Sequence, residues 1–186
     1  MLKFIIDSDW GSDVMQLTSV LLAQPEQFQV LGATVTFGNA PHDQNVINAG
    51  AMLRLLGVDS VIPRFPGATA PLGAETPPVG DCAHGNTGLG DVVVEPSIHA
   101  PAEVDAVDFI LETLEEETSG SVILIATGPQ SNIAPAIQRA PHLMERLREI
   151  RIMGGCTSPM PGFHVDDALN RLSEQTFPRS GNITEW

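Results

Sequence analysis

Short apolar runs alternate with amphipathic stretches along this chain. Residues 2–6 (Leu2, Phe4, Ile5, Ile6) form an apolar run that ends in acids, the pattern of a buried strand. Residues 12–23 carry Val14, Met15, Leu17, Leu21 and Leu22 at helical spacing, and Pro25 closes that segment. Residues 28–37 are rich in β-branched and aromatic side chains and end at Gly38-Asn39, which predicts a second strand. In residues 45–56, Val46, Ile47, Ala49, Met52, Leu53 and Leu56 share one helix face, and Gly57 is a stop signal. Residues 60–65 read as a third strand, with Pro63 marking it as an edge.

Residues 66–101 hold many glycines and prolines without a period, a length that suits a functional or mobile segment better than a plain connection. Residues 102–117 then predict an acidic amphipathic helix with Val104, Val107, Ile110, Leu111 and Leu114 inward. Residues 121–126 are the most apolar strand. Helical pieces follow at 130–139 and 143–147, then a strand at 150–153 before Gly154-Gly155. The tail from 156 to 186 is mostly irregular.

Alternation of continuous apolar strands with helices predicts an α/β fold: a mainly parallel, Rossmann-like sheet with helices on both faces. No repeat and no clear boundary divides it, so one domain over residues 1–186 is expected. Ligands of such sheets bind outside the carboxyl ends of the strands. That rule selects residues 7–13, Gly38-Asn39, Thr127-Gly128 and Gly154-Gly155, from four strands, as the lining of one crevice.

Charge narrows the chemistry. There are 23 acids against 9 bases, a formal charge of −14, and Lys3 is the only lysine. Such a field repels phosphate backbones and anionic membranes, so neither nucleic acid nor membrane is an expected partner. It also disfavours phosphoryl transfer, which usually needs a basic side chain at the phosphate. No apolar run approaches the roughly 20 residues of a membrane span. A carboxylate as early as Asp7 is unlike a signal peptide, so a cytoplasmic location is expected. Cys82 and Cys156 lack zinc-binding spacing and are expected to be reduced.

Asp7, Asp9 and Asp13 crowd the end of the first strand. Carboxylates this close repel unless protons or a cation neutralise them, and calcium or magnesium is the natural counter-ion. Gly11 suits a tight turn among them. The plainer reading is that Ser12 or Asp13 caps the following helix. His42, His99, His142 and His164 have no partner spacing and read as surface or loop residues. Asp166-Asp167 reads as a solvated turn, and Glu115-Glu116-Glu117 as an exposed helix end without a functional account.

Two enzyme classes place D-x-D after a first strand. Haloacid-dehalogenase-like phosphatases also need a lysine, and here the only lysine precedes the motif. The other class is the nucleoside hydrolases of the inosine-uridine preferring family, which open with D-x-D-P-G-x-D-D. Asp7-Ser8-Asp9-Trp10-Gly11-Ser12-Asp13-Val14 resembles that opening. The resemblance continues through Thr34-Val35-Thr36-Phe37-Gly38-Asn39 and the loop His84-Gly85-Asn86-Thr87-Gly88-Leu89-Gly90. It extends through Thr127-Gly128-Pro129-Gln130-Ser131-Asn132-Ile133-Ala134, Met153-Gly154-Gly155 and Gly181-Asn182-Ile183-Thr184.

The resemblance implies cleavage of the N-glycosidic bond of ribonucleosides to ribose and free base, using calcium and a water. By the same resemblance, Asp9 is the general base and a calcium ligand, and Thr127 offers calcium its backbone carbonyl. Asp13 matches a ligand of ribose hydroxyls. Asn39 and Asn182 match polar residues of the ribose and metal site, Glu185 matches an acid of the family's A-E-F-N stretch, and His84 lies near the nucleobase.

The pattern also departs from the family. Val14 replaces the second Asp of the D-D pair, a calcium ligand, and valine offers no electron pair. Trp10 replaces the usual proline, and the P-V-A spacer before Glu185 is missing. Family members run to roughly 300 residues, beyond the commonest domain size, so the C-terminal part of the fold is expected to be missing, with a calcium-binding Asp and a His. Calcium binding is expected to be weakened or lost. Three outcomes follow: a hydrolase with an altered site, a ribose or nucleoside binder without turnover, or a degenerate relative that self-associates. Homo-oligomerisation is expected because a shortened sheet exposes apolar surface.

Overall fold

The computed structural model describes residues 1–73, 84–90 and 92–154. Within them, strands β1 (Leu2–Ser8), β2 (Phe28–Val35), β3 (Arg64–Pro66), β4 (Val122–Ala126) and β5 (Glu149–Ile152) form one sheet in the order β3-β2-β1-β4-β5. Every pairing is parallel. The helices are α1 (Val14–Leu22), α2 (His42–Leu55), α3 (Ala106–Glu116), α4 (Ile133–Arg139) and α5 (Pro141–Met144).

Strand alternation assigns the two helical layers. Phe4 and Ile6 of β1 join Ala33, Val35 and Ile123 beneath α1 and α2, where Val14, Leu21, Ala49, Met52 and Leu53 complete one core. Ile5, pointing the other way, joins Val122, Leu124 and Ala126 beneath α3, α4 and α5, against Ile110, Leu114, Ile133 and Met144. The parallel sheet with helices on both faces is therefore observed. Opposite faces of β1 feed separate cores because side chains alternate along a strand.

Several boundaries differ from expectation. The third strand begins only at Arg64, since residues 58–62 form a turn whose Val61 and Ile62 N–H groups both donate to the Val58 carbonyl. It is the edge strand that Pro63 foretold. Residues 102–105 are not helical, and Val104 is exposed. Asp105 starts α3 instead, its carboxylate accepting from the Val107 N–H at 2.8 Å. Of the helical piece expected at 143–147 only Leu143 and Met144 are helical, in the short Pro141–Met144, the last helix among the described residues.

In α2 the expected inward face holds at Ala49, Met52 and Leu53 but not in the first turns. Ile47 is exposed while Asn45 and Asn48 are buried, because the first turns of α2 lie over the polar rim of the sheet and not over its core. His42 is also not a surface residue: it opens α2 with its side chain only 10% exposed. His99 and His142 are exposed as expected, and His164 lies outside the described residues. Of the acidic run, Glu117 pairs with Lys3. Arg146 donates to the Leu114 and Glu117 carbonyls at 2.7 and 2.8 Å, offsetting the acids at the end of α3. Among the described residues no helix is long and apolar enough to cross a membrane.

Candidate functional site

The strand order reverses between β1 and β4: the chain winds from β1 out to β3, then crosses back to place β4 on the other side of β1. A crevice opens beyond the carboxyl ends of adjacent strands at such a point. Here those ends carry residues 8–13 and Thr127-Gly128. The Thr127 N–H donates to the Asp7 carbonyl at 2.9 Å, and the Thr127 hydroxyl donates to Ser8 Oγ at 2.9 Å. A Cβ on Gly128 would stand 2.6 Å from the Asp9 amide nitrogen, so glycine lets the two strand ends touch.

Asp9 is only 5% exposed. Its Oδ2 accepts the Asn39 N–H at 2.8 Å, and Ser8 Oγ lies 3.5 Å from its Oδ1. Asn39 serves Asp13 as well, through Nδ2 to Asp13 Oδ1 at 3.2 Å. One asparagine in the loop after β2 thus orients two carboxylates of the turn after β1. Two glycines make this possible. Gly38 has φ +144°, and a Cβ there would fall on the Asp9 carboxylate. Gly11 lies at the bend that opens this turn, without a positive φ. Its service is to let the Asn39 side chain approach closely.

Asp13 stands at the N-cap position of α1 but makes no side-chain cap. Its carboxylate turns to Asn39 instead, so the plain capping reading fails. Ser12 donates its N–H to the Gly88 carbonyl at 3.3 Å, tying this turn to the loop that carries His84. Asn48 of α2 holds the same loop through the Thr87 carbonyl at 2.7 Å.

Asp7 is fully buried beneath this turn. Its Oδ1 accepts from the Thr34 hydroxyl at 2.6 Å and from Asn132 Nδ2 at 2.8 Å, while its Oδ2 has no hydrogen-bond partner among the described residues. Asn132 also accepts from the Ala68 N–H at 2.8 Å and donates to the Val35 carbonyl at 3.3 Å. It therefore clasps β1, β2 and the segment after β3 at one point.

Burial raises Asp7 from 3.8 to about 6, against the lowering effect of the Thr34 and Asn132 hydrogen bonds. Asp9 is raised from 3.8 to about 7, chiefly by burial, then by the charge of Asp13, against the Asn39 N–H. None of the ion pairs among the described residues includes Asp7, Asp9 or Asp13.

The structure therefore brings together Asp9, Asp13, Asn39 and Thr127, with His84 on the adjoining loop. Gly154 follows β5 and is exposed. Gly155, Asn182, Glu185, Cys82, Cys156 and Asp166-Asp167 lie outside the described residues. Sequence reasoning gave no role to Asn45, Asn48 or Asn132. Asn45 Nδ2 donates to the Thr36 and Ala40 carbonyls at 2.9 and 3.0 Å, lashing α2 to the end of β2. The available signal was amide side chains at positions of an otherwise apolar helix face.

A parallel sheet with paired carboxylates at its switch point defines a class of α/β enzyme or binding protein that handles polar small molecules. The family model for inosine-uridine preferring nucleoside hydrolases matches residues 4–186. The chain belongs to that family. It is 36% identical over 154 residues to uridine nucleosidase 1 of Arabidopsis thaliana, covering 82% of this chain and 45% of that protein. It is 33% identical over 153 residues to the pyrimidine-specific ribonucleoside hydrolase RihB of Escherichia coli, covering 82% and 47%. Among solved structures it resembles a purine-preferring ribonucleoside hydrolase from Gardnerella vaginalis with a TM-score of 0.77 at 31% identity, covering 84% of this chain and 50% of that one. The chain spans about half the length of the curated relatives it matches.

The calcium implied by the resemblance is not fitted by the side chains described. Val14, in place of an anionic ligand, is 2% exposed and belongs to the hydrophobic core with Trp10, Ile6 and Leu21. Among the described residues no group of three or more His, Cys, Asp or Glu side chains is placed to hold a metal ion.

Proposed function

We propose that this chain binds a ribonucleoside at the rim between β1 and β4 and hydrolyses its N-glycosidic bond to ribose and free base. The observation that carries this reading is Asp9: a buried carboxyl, pushed up to about 7, oriented by the Asn39 N–H beside a second carboxylate. A base of that strength exchanges protons readily near neutral pH. Asp9 takes one proton of the attacking water, the water oxygen bonds to the anomeric carbon, and the bonding pair leaves with the nucleobase, which takes a proton from solvent while Asp9 returns its own to solvent. Asp13, partnered by Asn39 and facing solvent, accepts from ribose hydroxyls. Positive charge develops on the sugar ring in this reaction, and two carboxylates set in place beforehand stabilise it. An acidic chain is no handicap for a substrate without phosphate.

The relatives are named for uridine, pyrimidine and purine ribonucleosides. Their common element is the ribonucleoside, so the sugar is the part that Asp13, Asn39 and Asn182 recognise. His84, and Glu185 beyond it in sequence, belong to the same pocket by family resemblance. Because Val14 withholds a ligand, turnover is slow. The test is release of free base from inosine and uridine by the wild type and by Asp9→Asn. Release that depends on Asp9 supports the reading. Binding by calorimetry without release supports a nucleoside binder instead, the reading that the burial of Val14 favours. Absence of both overturns both.

A further inference from the structure

We propose that the rim built by the described residues does not hold a resident hard divalent cation, and that Val14 withholds one of the carboxylates such an ion would need. The proposal rests on the reading of the rim as a ribonucleoside pocket. A calcium ion takes six to eight oxygen ligands, with affinity set by how many are anionic. The turn after β1 offers two carboxylates, and Asn39 engages both, with its N–H on Asp9 and its Nδ2 on Asp13. The two large side chains of the same turn, Trp10 and Val14, go the other way. Trp10 is fully buried with Nε1 donating to the Thr34 carbonyl at 3.0 Å, and Val14 is 2% exposed in the same core. The position that follows Asp13, which by family resemblance carries a further carboxylate ligand, is therefore given to packing.

An acid at the same position gives up the core contacts of Val14 and gains from the start of the helix. Val14 is the first residue of α1, whose first turn contains no acidic residue, and a carboxylate there is favoured by the helix dipole. Val14→Asp alone is then sufficient to install a cation ligand, whereas the neutral Val14→Asn is not.

Terbium, a hard trivalent stand-in for calcium, reports the site directly. Tryptophan sensitises its emission, and Trp10 adjoins Asp9. The chain has two tryptophans and no tyrosine, so Trp186→Phe in every protein leaves Trp10 as the antenna. Wild type is expected to show no saturable emission below the millimolar range and to match Asp9→Asn. Calcium calorimetry should give Val14→Asp a gain of about tenfold or more over wild type, and Val14→Asn none.

Saturable submillimolar binding by wild type that Asp9→Asn removes would overturn the proposal. So would a folded Val14→Asp, judged by circular dichroism, that binds calcium no better than wild type. If Val14→Asp does not fold, the comparison of wild type with Asp9→Asn decides alone. Nucleoside calorimetry in chelator is a separate reading: its failure removes the functional proposal and leaves the cation result standing.

Discussion

Replacing Asp9 by Asn should stabilise this protein while removing its proposed base. The folded carboxyl sits at about 7 against 3.8 for the free group. At pH 8 the chain must therefore fold around a charge that its surroundings disfavour. At 1.36 kcal/mol per pKa unit, that difference is on the order of 4 kcal/mol as an upper bound. Asparagine removes the charge and its repulsion with Asp13 but keeps an oxygen for the Asn39 N–H. The expected gain is about 2–4 kcal/mol at pH 8, or roughly 1–2 M in the urea midpoint for a slope near 2 kcal/mol/M.

The sign of the pH dependence follows from the raised value. Between 3.8 and about 7 the folded state binds more protons than the unfolded state, so wild-type stability rises as pH falls through that window. Asp7, raised to about 6, acts in the same direction over 3.8 to 6. By pH 4 the folded wild type carries a protonated Asp9, and the advantage of Asp9→Asn should shrink below about 1 kcal/mol. Urea denaturation in chelator at pH 8 and pH 4 measures both ends. A variant no more stable than wild type at pH 8, or one whose advantage is the same at both pH values, refutes the reasoning.

Asn132→Ala should cost about 3 kcal/mol, since it strips partners from the half-buried Ala68 N–H, the buried Val35 carbonyl and the buried Asp7. A drop in melting temperature of roughly 6–12 °C is expected, and an unchanged value would show that the clasp contributes little. Gly38→Ala places a Cβ on the Asp9 carboxylate at a positive φ and should cost about 1–3 kcal/mol. Nucleoside affinity or base release should fall with it, and retention of both would show that Asp9 is free to shift. Val93, Ile98, Val61 and Leu55 are 96%, 83%, 76% and 60% exposed. They lie on or near the 92–99 segment that Arg54 and Ser97 tie to the region of α2 and the turn after it. Self-association is expected, and light scattering after size exclusion should give a mass above 19.8 kDa. A sharp monomer would contradict it.

The amino-acid sequence by itself determined the element order, the parallel sheet and three parts of the rim, while Gly154 of the fourth expected part is exposed after β5. Continuous apolar strands such as residues 121–126 fit only a sheet covered on both faces; Asp9 and Thr127 each follow a strand's end directly, while Asn39 lies four residues past the end of β2. Those are local signals, carried by a residue and its near neighbours. Tertiary structure alone decided how the rim is wired. Asp9 and Asn39 are 30 residues apart, and Asp7 and Asn132 are 125 apart, so no window of sequence contains either pair. The same holds for what each residue is for. Gly11 and Gly38 serve Asn39 and Asp9 by leaving space, Asp13 forgoes its cap for Asn39, and Asn45 and Asn48 turn inward where Ile47 was expected. Spacing reveals which face of a helix is apolar, but only the packed sheet shows whether that face meets a core or a polar rim.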